Sequence, residues 1–492
     1  MKLTNNRKFF LNIFSAVMIA YGIAAMPSVF AALYFGNDRS LIPLAIVSSA
    51  TIICGIIIRH LYDLNASVVR PRMNYMAVMM SWLASIALTS AVFYFSVAEF
   101  SVTTAIFEAT ACLTTTGVGN LGIESLPESL MLWRSVLSWL GGVGIILIAF
   151  SFISGRQLSG RALVSVEVPG PDFLKSTQTF RYTYRHIIRL YAVLTAVHFV
   201  LLCIAGMTPY TSLLTSLSNI STAGLQHISN GDITALPGTQ KAIIVFFSFI
   251  SSLNVSFLLM MFFLRRSFSF RRTSEIGVYT LRVVITSVVI AAVLCFTRGM
   301  GAASAVADAL MQTVSYLSTS GYIVSGSRSW PFICELLILL QMFVGACAAS
   351  TAGGIKTARI QIGFKTMRFG LFRHVHPNAV RPVRINGETV KPEQLVGTNI
   401  YIALFMLVYI LGALLLSLDN KNESVFDALN YSQAMLTNTG TTVADMTRIG
   451  GYSGFSPLSQ IVMSIEMLCG RLEIYPFLML FFKSFWRTDS NR

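Results

Sequence analysis

The chain reads as an all-α integral membrane protein: two N-terminal transmembrane helices, then four pseudo-symmetric units, each a span, a re-entrant loop and a second span. Three observations predict this. Of 492 residues, 54% are hydrophobic and only 12% charged, with a mean hydropathy of +0.67, which leaves too little polar surface for a soluble chain of this length. Apolar runs of roughly 20 residues recur from end to end, each sufficient for a ~30 Å hydrocarbon core. The loops between them repeat one kind of segment, a half-polar stretch closed by hydroxyl or small residues and a glycine.

Hydropathy places ten spans at about 9–35, 41–58, 73–96, 130–154, 186–206, 240–264, 278–298, 331–352, 398–418 and 457–483. Arg7 and Lys8 ahead of the first run imitate a signal peptide, but a run reaching Phe35 is too long for one, so it is assigned as the first span. Residues 1–72 make up the additional N-terminal pair. The repeats follow as 73–185, 186–277, 278–396 and 397–492, the third carrying a cytoplasmic basic loop as well. The longest polar stretch, about 373–396, is too short to bury a core of its own.

A net charge of +15 is compatible with nucleic acid, but its distribution is not. Basic residues cluster in alternate loops: Arg59, Arg70 and Arg72; Arg156, Arg161, Lys175, Arg181 and Arg185; Arg265, Arg266, Arg271, Arg272 and Arg282; then Lys356 through Lys391. Lys2, Arg7, Lys8, Lys483, Arg487 and Arg492 flank the termini. The intervening loops hold Glu99, Glu124, Glu128, Asp232, Asp419, Glu423 and Asp445. This positive-inside asymmetry puts both termini in the cytoplasm. The seven cysteines are scattered singly among apolar residues, which supports neither a disulfide scaffold nor a zinc site.

Laid side by side, the outer loops read FEATACLTTTGVGN from Phe107, LTSLSNISTAGLQ from Leu214, LMQTVSYLSTSGYI from Leu310 and LNYSQAMLTNTGTT from Leu429. Each is a short helical stretch, then small or hydroxyl residues, then Gly117, Gly224, Gly321 or Gly440. One such segment would be an ordinary turn; four at matching places are a repeat. Because each unit returns the chain to its starting side, all four can surround an axis along the membrane normal. Non-helical backbone at membrane depth is tolerated where it lines a water-filled cavity. Glycine lets successive carbonyls face one side, and a ring of such carbonyls replaces a cation's water shell, as in the potassium filter TVGYG. The short helices present their partly negative C-terminal ends to the same ion. The first strand, Thr116–Gly119, comes nearest that pattern, and the single glycine of the others implies a shorter filter.

With these motifs the chain resembles the TrkH/KtrB/HKT superfamily of potassium transporters over essentially its whole length, and its ten spans fit the TrkH branch better than the eight-span KtrB branch. The resemblance also rests on WLGGVGIILIAF from Trp139, GACAASTAGGIKTARI from Gly345 and CGRLEIYPF from Cys469. VPGPDFLK from Val168 is similar to the family's cytoplasmic segment but lacks the usual later proline. The resemblance implies a K+ channel-like pore with fourfold pseudo-symmetry in one chain, K+ uptake across the bacterial inner membrane, and a homodimer. It also implies a cytoplasmic ring of TrkA-like RCK subunits. NAD or ATP is expected on that partner, since no GxGxxG or Walker motif is present here and no organic cofactor is expected on this chain. By the same resemblance K+ is coordinated by Thr115, Thr116 and Gly117; Thr222, Ala223 and Gly224; Thr319, Ser320 and Gly321; and Asn438, Thr439 and Gly440. Ala223 and Asn438 depart from a uniform threonine ring, which matters little if backbone carbonyls bind the ion and more if side chains do.

Two further features carry two readings each. The small residues from Gly345 to Gly354 make either a helix break whose freed backbone faces protein or water, or a close helix–helix contact. The resemblance favours a gating loop under the filter, with Gly345, Ala346, Ser350, Thr351, Gly353, Gly354 and Lys356 as its residues. Arg471 lies within the last span, where an arginine costs ~2.5–3.5 kcal/mol on insertion scales, so it faces a cavity or a partner. It either pairs with Glu466 or Glu473 or, as the resemblance implies, projects into the pore as an electrostatic barrier. His198 and His227 are lone histidines, read as satisfied polar residues before proton carriers. A symporter coupling K+ to H+ or Na+ remains the alternative function. A membrane enzyme is not supported, because neither an intramembrane HExxH nor paired aspartates occur.

Overall fold

A computed structural model describes residues 5–36, 38–62, 71–119, 126–154, 180–225, 236–263, 274–324, 327, 330–376, 383–385, 388–419, 424–442 and 452–479. The expected cytoplasmic segment from Val168 and the histidine His227 lie outside them. Nearly all the described residues are helical, and the element order repeats four times after an initial pair.

The pair is Asn5–Phe35 and Leu41–Leu61. They approach closely because Gly22 and Gly55 present no side chain: a Cβ on either would fall 2.7 and 2.8 Å from Ser48 O and Ser15 O. Ser48 Oγ donates to Gly22 O across the contact at 2.8 Å. Each repeat then consists of an outer helix, a short pore helix and an inner helix. The outer helices are Pro71–Ser96, Phe180–Ile204, Ser274–Arg298 and Pro392–Leu416. The pore helices are Val102–Leu113, Pro209–Ile220, Ala302–Leu317 and Val425–Leu436. At 12 to 16 residues they reach only about 18–24 Å at 1.5 Å per residue, too short to cross, so the chain must turn back. Ser101, Thr208 and Ser424 accept the N-terminal amides of three of them, and Asp427 completes a capping box with Ser424.

The inner helices differ from the expected uninterrupted spans. In the first repeat Glu128–Ser154 is continuous. In the second, Gly238–Ser251 and Val255–Phe263 meet at a bend of 104°. In the third the helix stops at Val344 and resumes at Thr357; in the fourth it stops at Arg471 and resumes at Ile474. Among the described residues six helices are long and apolar enough to cross a membrane, seven if the bent pair counts as one. A two-stranded antiparallel ladder, Arg384–Ile385 with Glu388–Thr389, lies in the polar stretch before the last repeat.

Large apolar side chains face outward, Phe296 at 90% exposure and Phe30 at 66%, while an apolar core inside is interleaved with buried serines, threonines and asparagines. Buried hydroxyls return to helix carbonyls, as Thr110, Ser216 and Thr437 do to the residue four earlier.

Candidate ion pathway

All four pore helices end in the same way. The residue after the last capped position takes a left-handed conformation: Thr115 at φ 56°, Thr222 at 58°, Thr319 at 58° and Asn438 at 55°. Its amide donates to the carbonyl three residues back, and the next amide to the carbonyl five back: Thr116 to Ala111, Ala223 to Ser218, Ser320 to Ser315 and Thr439 to Ala434, at 2.9–3.0 Å. This is a Schellman closure with threonine, not glycine, at the strained position in three repeats. A β-branched residue there costs about 1–2 kcal/mol, which the surrounding packing must offset. Asparagine tolerates that conformation better, a physical account of its place in the fourth repeat.

Two residues on, the four repeat glycines also have positive φ: Gly117 at 74°, Gly224 at 55°, Gly321 at 67° and Gly440 at 80°. The preceding carbonyls pack on them in strict rotation. A Cβ built on Gly117 would lie 1.6 Å from Ala223 O, and one on Gly224 1.4 Å from Ser320 O. One on Gly321 would lie 2.3 Å from Thr439 O, and one on Gly440 2.0 Å from Thr116 O. Each repeat thus touches the next and the fourth closes on the first, a four-membered ring in chain order. All twelve sequence-predicted filter residues are brought together at it.

The side chains of this level are engaged within the protein. Thr114 pairs with Thr116, Thr437 with Thr439 and Ser318 with Ser320, at 2.8–2.9 Å. The Asn438 amide donates to Thr116 Oγ1 at 3.1 Å and Met467 O at 2.9 Å. Beyond the ring, Thr441 donates to Gly321 O at 2.8 Å and Ser315 to Tyr322 O at 2.8 Å. The Tyr452 hydroxyl donates to Gly440 O at 2.6 Å, its ring packing on Phe107 with centroids 5.5 Å apart.

Directly beneath lies the broken third inner helix. Gly345, at φ 66°, ends the first half, and Gly354 packs against it at φ 80°, so the stretch is a loop and not a helix–helix contact. The loop abuts the ring: Gly353 N donates to Thr319 Oγ1 at 2.9 Å, and a Cβ on Gly353 would fall 2.0 Å from Thr437 O. Thr351 Oγ1 donates to Ser251 O at 3.1 Å. Ser350 Oγ donates back to Cys347 O at 2.6 Å, and Thr357 N to Ala346 O at 2.8 Å. The Lys356 ammonium folds onto the carbonyls of Ala352 and Ser350.

Two groups hold this loop that sequence patterning did not single out. Arg282, counted above with the cytoplasmic basic residues, lies two turns into the third outer helix. There it donates to Gly345 O, Thr357 Oγ1 and Gln341 Oε1 at 2.6–2.9 Å. Glu275, seven residues earlier, accepts from Ala348 N. The seven-residue spacing puts both on one helix face, a signal present in the sequence but mute without knowing what the face meets.

Arg471 ends the fourth inner helix and is 3% exposed. It pairs with neither expected carboxylate. Its guanidinium donates to Thr351 O of the loop and, at 3.1 Å, to Gly141 O of the first inner helix. Glu473 instead pairs with Arg359 at 2.8 Å, and Glu466 accepts from Ser432. The buried His198 of the second repeat stacks on Phe247, centroids 4.5 Å apart.

The geometry is that of a closed backbone ring with the buried Arg471 guanidinium and a clamped loop packed against it. The family model for TrkH, a cation transport protein, matches residues 46–265 and 233–489. The Trk system potassium uptake protein TrkH of Vibrio parahaemolyticus is 28% identical over 508 residues, covering 97% of each chain. That of Salmonella typhimurium is 29% identical over 427 residues, covering 85% of this chain and 86% of that protein. The Trk system potassium uptake protein TrkG of Escherichia coli is 26% identical over 438 residues, covering 85% and 86%. In fold, the crystal structure of the potassium transporter TrkH from Vibrio parahaemolyticus superposes with a TM-score of 0.85 at 24% identity, covering 98% of this chain and 99% of that one. Matched over nearly its whole length, the chain belongs to the TrkH family of multi-pass cation transport proteins.

Proposed function

We propose that the chain is the membrane subunit of a bacterial potassium uptake system, passing K+ inward across the inner membrane through the four-strand ring. The observation that carries this is the closed rotation of carbonyl on glycine, Thr116 on Gly440, Ala223 on Gly117, Ser320 on Gly224 and Thr439 on Gly321. Those four oxygens are assigned to the ion, with the neighbouring backbone of Thr115, Thr222, Thr319 and Asn438 completing the inner side. A ring of peptide dipoles at membrane depth favours a bare cation over its water shell. Because the hydroxyls at this level bond one another, selectivity rests on backbone, and Ala223 can replace a threonine.

The loop from Gly345 to Lys356 is the gate, and Arg471 is the barrier beneath the filter. The guanidinium joins two carbonyls from different repeats, so opening requires their exchange for water. Regulation is assigned to cytoplasmic RCK-type subunits binding NAD or ATP, and the working unit to a homodimer with all termini cytoplasmic. The relatives bear the name of a Trk system, which fits a membrane subunit among several components. Coupled symport would need a titratable group at the ring; Glu466 lies instead between Gly412 and Ser432.

Purified protein in liposomes tests the proposal. Passive K+ flux without a proton or sodium gradient is expected, together with growth rescue of a potassium-uptake-deficient bacterium that is lost on changing any filter glycine to serine. Flux that demands a proton gradient would replace the channel reading with symport.

A further inference from the structure

Gly119 is the second glycine of the first pore strand, the one that makes this strand look like a longer filter than the others. Its backbone is outside the left-handed region, unlike Gly117, so conformation does not require glycine there. Space does. A Cβ on Gly119 would fall 2.4 Å from Arg134 Nη2. Arg134, from the first inner helix, is 5% exposed and pairs through Nε with Glu108 of the first pore helix at 2.7 Å. The same guanidinium reaches Val118 O at 3.5 Å, at the outer limit of a hydrogen bond.

The other repeats treat this level with neutral groups. Nine residues before the filter glycine, where the first repeat has Glu108, stand Thr215, Gln312 and Tyr431. Gln312 Oε1 accepts from Val324 N at 2.9 Å, bracing the third strand from the same place. Carbonyls of the ring glycines and just beyond them are likewise held by protein donors: Gly440 O by Tyr452 and Tyr322 O by Ser315.

We infer that Glu108 and Arg134 are positioning residues that fix the outer end of the filter, holding the Val118 carbonyl off the axis so that the ion ligands stop at the glycine ring. Pairing with Glu108 also neutralises a guanidinium that would otherwise oppose cation entry at the mouth. Gly119 is then room for Arg134 and not a further filter glycine. This rests on the ring being the ion filter, and it adds where the filter ends and what holds it.

Single replacements would strand a buried charge, so the neutral pair Glu108→Gln with Arg134→Met is the informative variant. Glu108→Gln copies the residue at the matching place of the third repeat. The full-length protein in liposomes is assayed for K+, Rb+ and Na+ flux. Protection against heat by each ion, in detergent, reads binding without transport. The neutral pair is expected to lower the K+-to-Na+ ratio about tenfold, the effect of one weakened ligand set, in flux and in heat protection alike. A merely structural brace would reduce all fluxes equally and leave the ratio at the wild-type value, which would overturn the inference. Gly119→Ala pushes the end of the Arg134 side chain, not backbone, so it should fold and lower the ratio in the wild-type background, yet change nothing in the neutral pair. An equal effect in both backgrounds would also overturn it, and this arm decides if the neutral pair does not fold. A wild type that binds K+ selectively but conducts none would sink the conduction proposal and not this one.

Discussion

Replacing Gly224 by alanine is the sharpest perturbation of the ring. Position 224 has φ +55°, and the new methyl carbon would stand 1.4 Å from Ser320 O and 2.5 Å from its carbonyl carbon. Ordinary contacts between such atoms lie near 3.5 Å. The obstacle is backbone held by a Schellman closure, so it cannot swing aside as a side chain tip would; a strand must shift by well over an ångström. The left-handed conformation adds about 1–2 kcal/mol for alanine. Removing one carbonyl from a charged ligand set costs roughly 1.5–3 kcal/mol, which converts to about 10- to 100-fold in ion affinity. The four glycines also rank by clearance: 1.4 Å at Gly224, 1.6 Å at Gly117, 2.0 Å at Gly440 and 2.3 Å at Gly321. Rubidium tracer uptake by cells lacking other potassium systems, normalised to membrane-inserted protein, should fall most for Gly224→Ala and least for Gly321→Ala. Wild-type uptake and ion preference in Gly224→Ala, beside failure of Gly321→Ala, would show that carbonyl packing on these glycines does not shape the ion site.

Arg471→Ala removes both carbonyl contacts and the buried charge, so it should raise single-turnover K+ flux several-fold in liposomes, whereas unchanged conductance would remove the barrier role. Gly353→Ala drives a methyl into Thr437 O, displacing the loop from the ring. A higher resting flux should appear as faster K+ leak from loaded vesicles. Arg282→Ala removes the charged donor shared by Gly345 O and Thr357 Oγ1, leaving them only their mutual bond at 3.3 Å. It should lower the melting temperature and expose the Gly345–Lys356 amides to hydrogen exchange ahead of the pore helices.

Hydropathy and the fourfold repeat made the architecture and the ring residues legible, because a recurring glycine after a hydroxyl-rich stretch leaves a mark that composition cannot hide. The buried position of Arg471 was legible for the same reason: arginine in an apolar run must meet something polar. Its partners were not. Glu466 and Glu473 are near in sequence, but Thr351 O and Gly141 O are brought close only by the packing of other repeats. The break at Ser252–Asn254 was invisible because apolar residues flank it on both sides. Asn254 Oδ1, accepting from Ser256 N at 2.9 Å, and Ala349 O, accepting from Val255 N at 3.1 Å, restart the helix. Threonine at a left-handed position contradicts local propensity, so no turn rule finds Thr115, Thr222 or Thr319. Glu108 and Arg134 sit on different helices, and their pairing is a property of the fold.

In the proposed pathway Thr116, Ala223, Ser320 and Thr439 turn their carbonyls onto one cation. Anomalous diffraction from crystals grown in rubidium measures this directly. A peak on the axis among those four oxygens, absent when sodium replaces rubidium, is the predicted result. Rubidium bound elsewhere in the chain, with the ring empty, would contradict it.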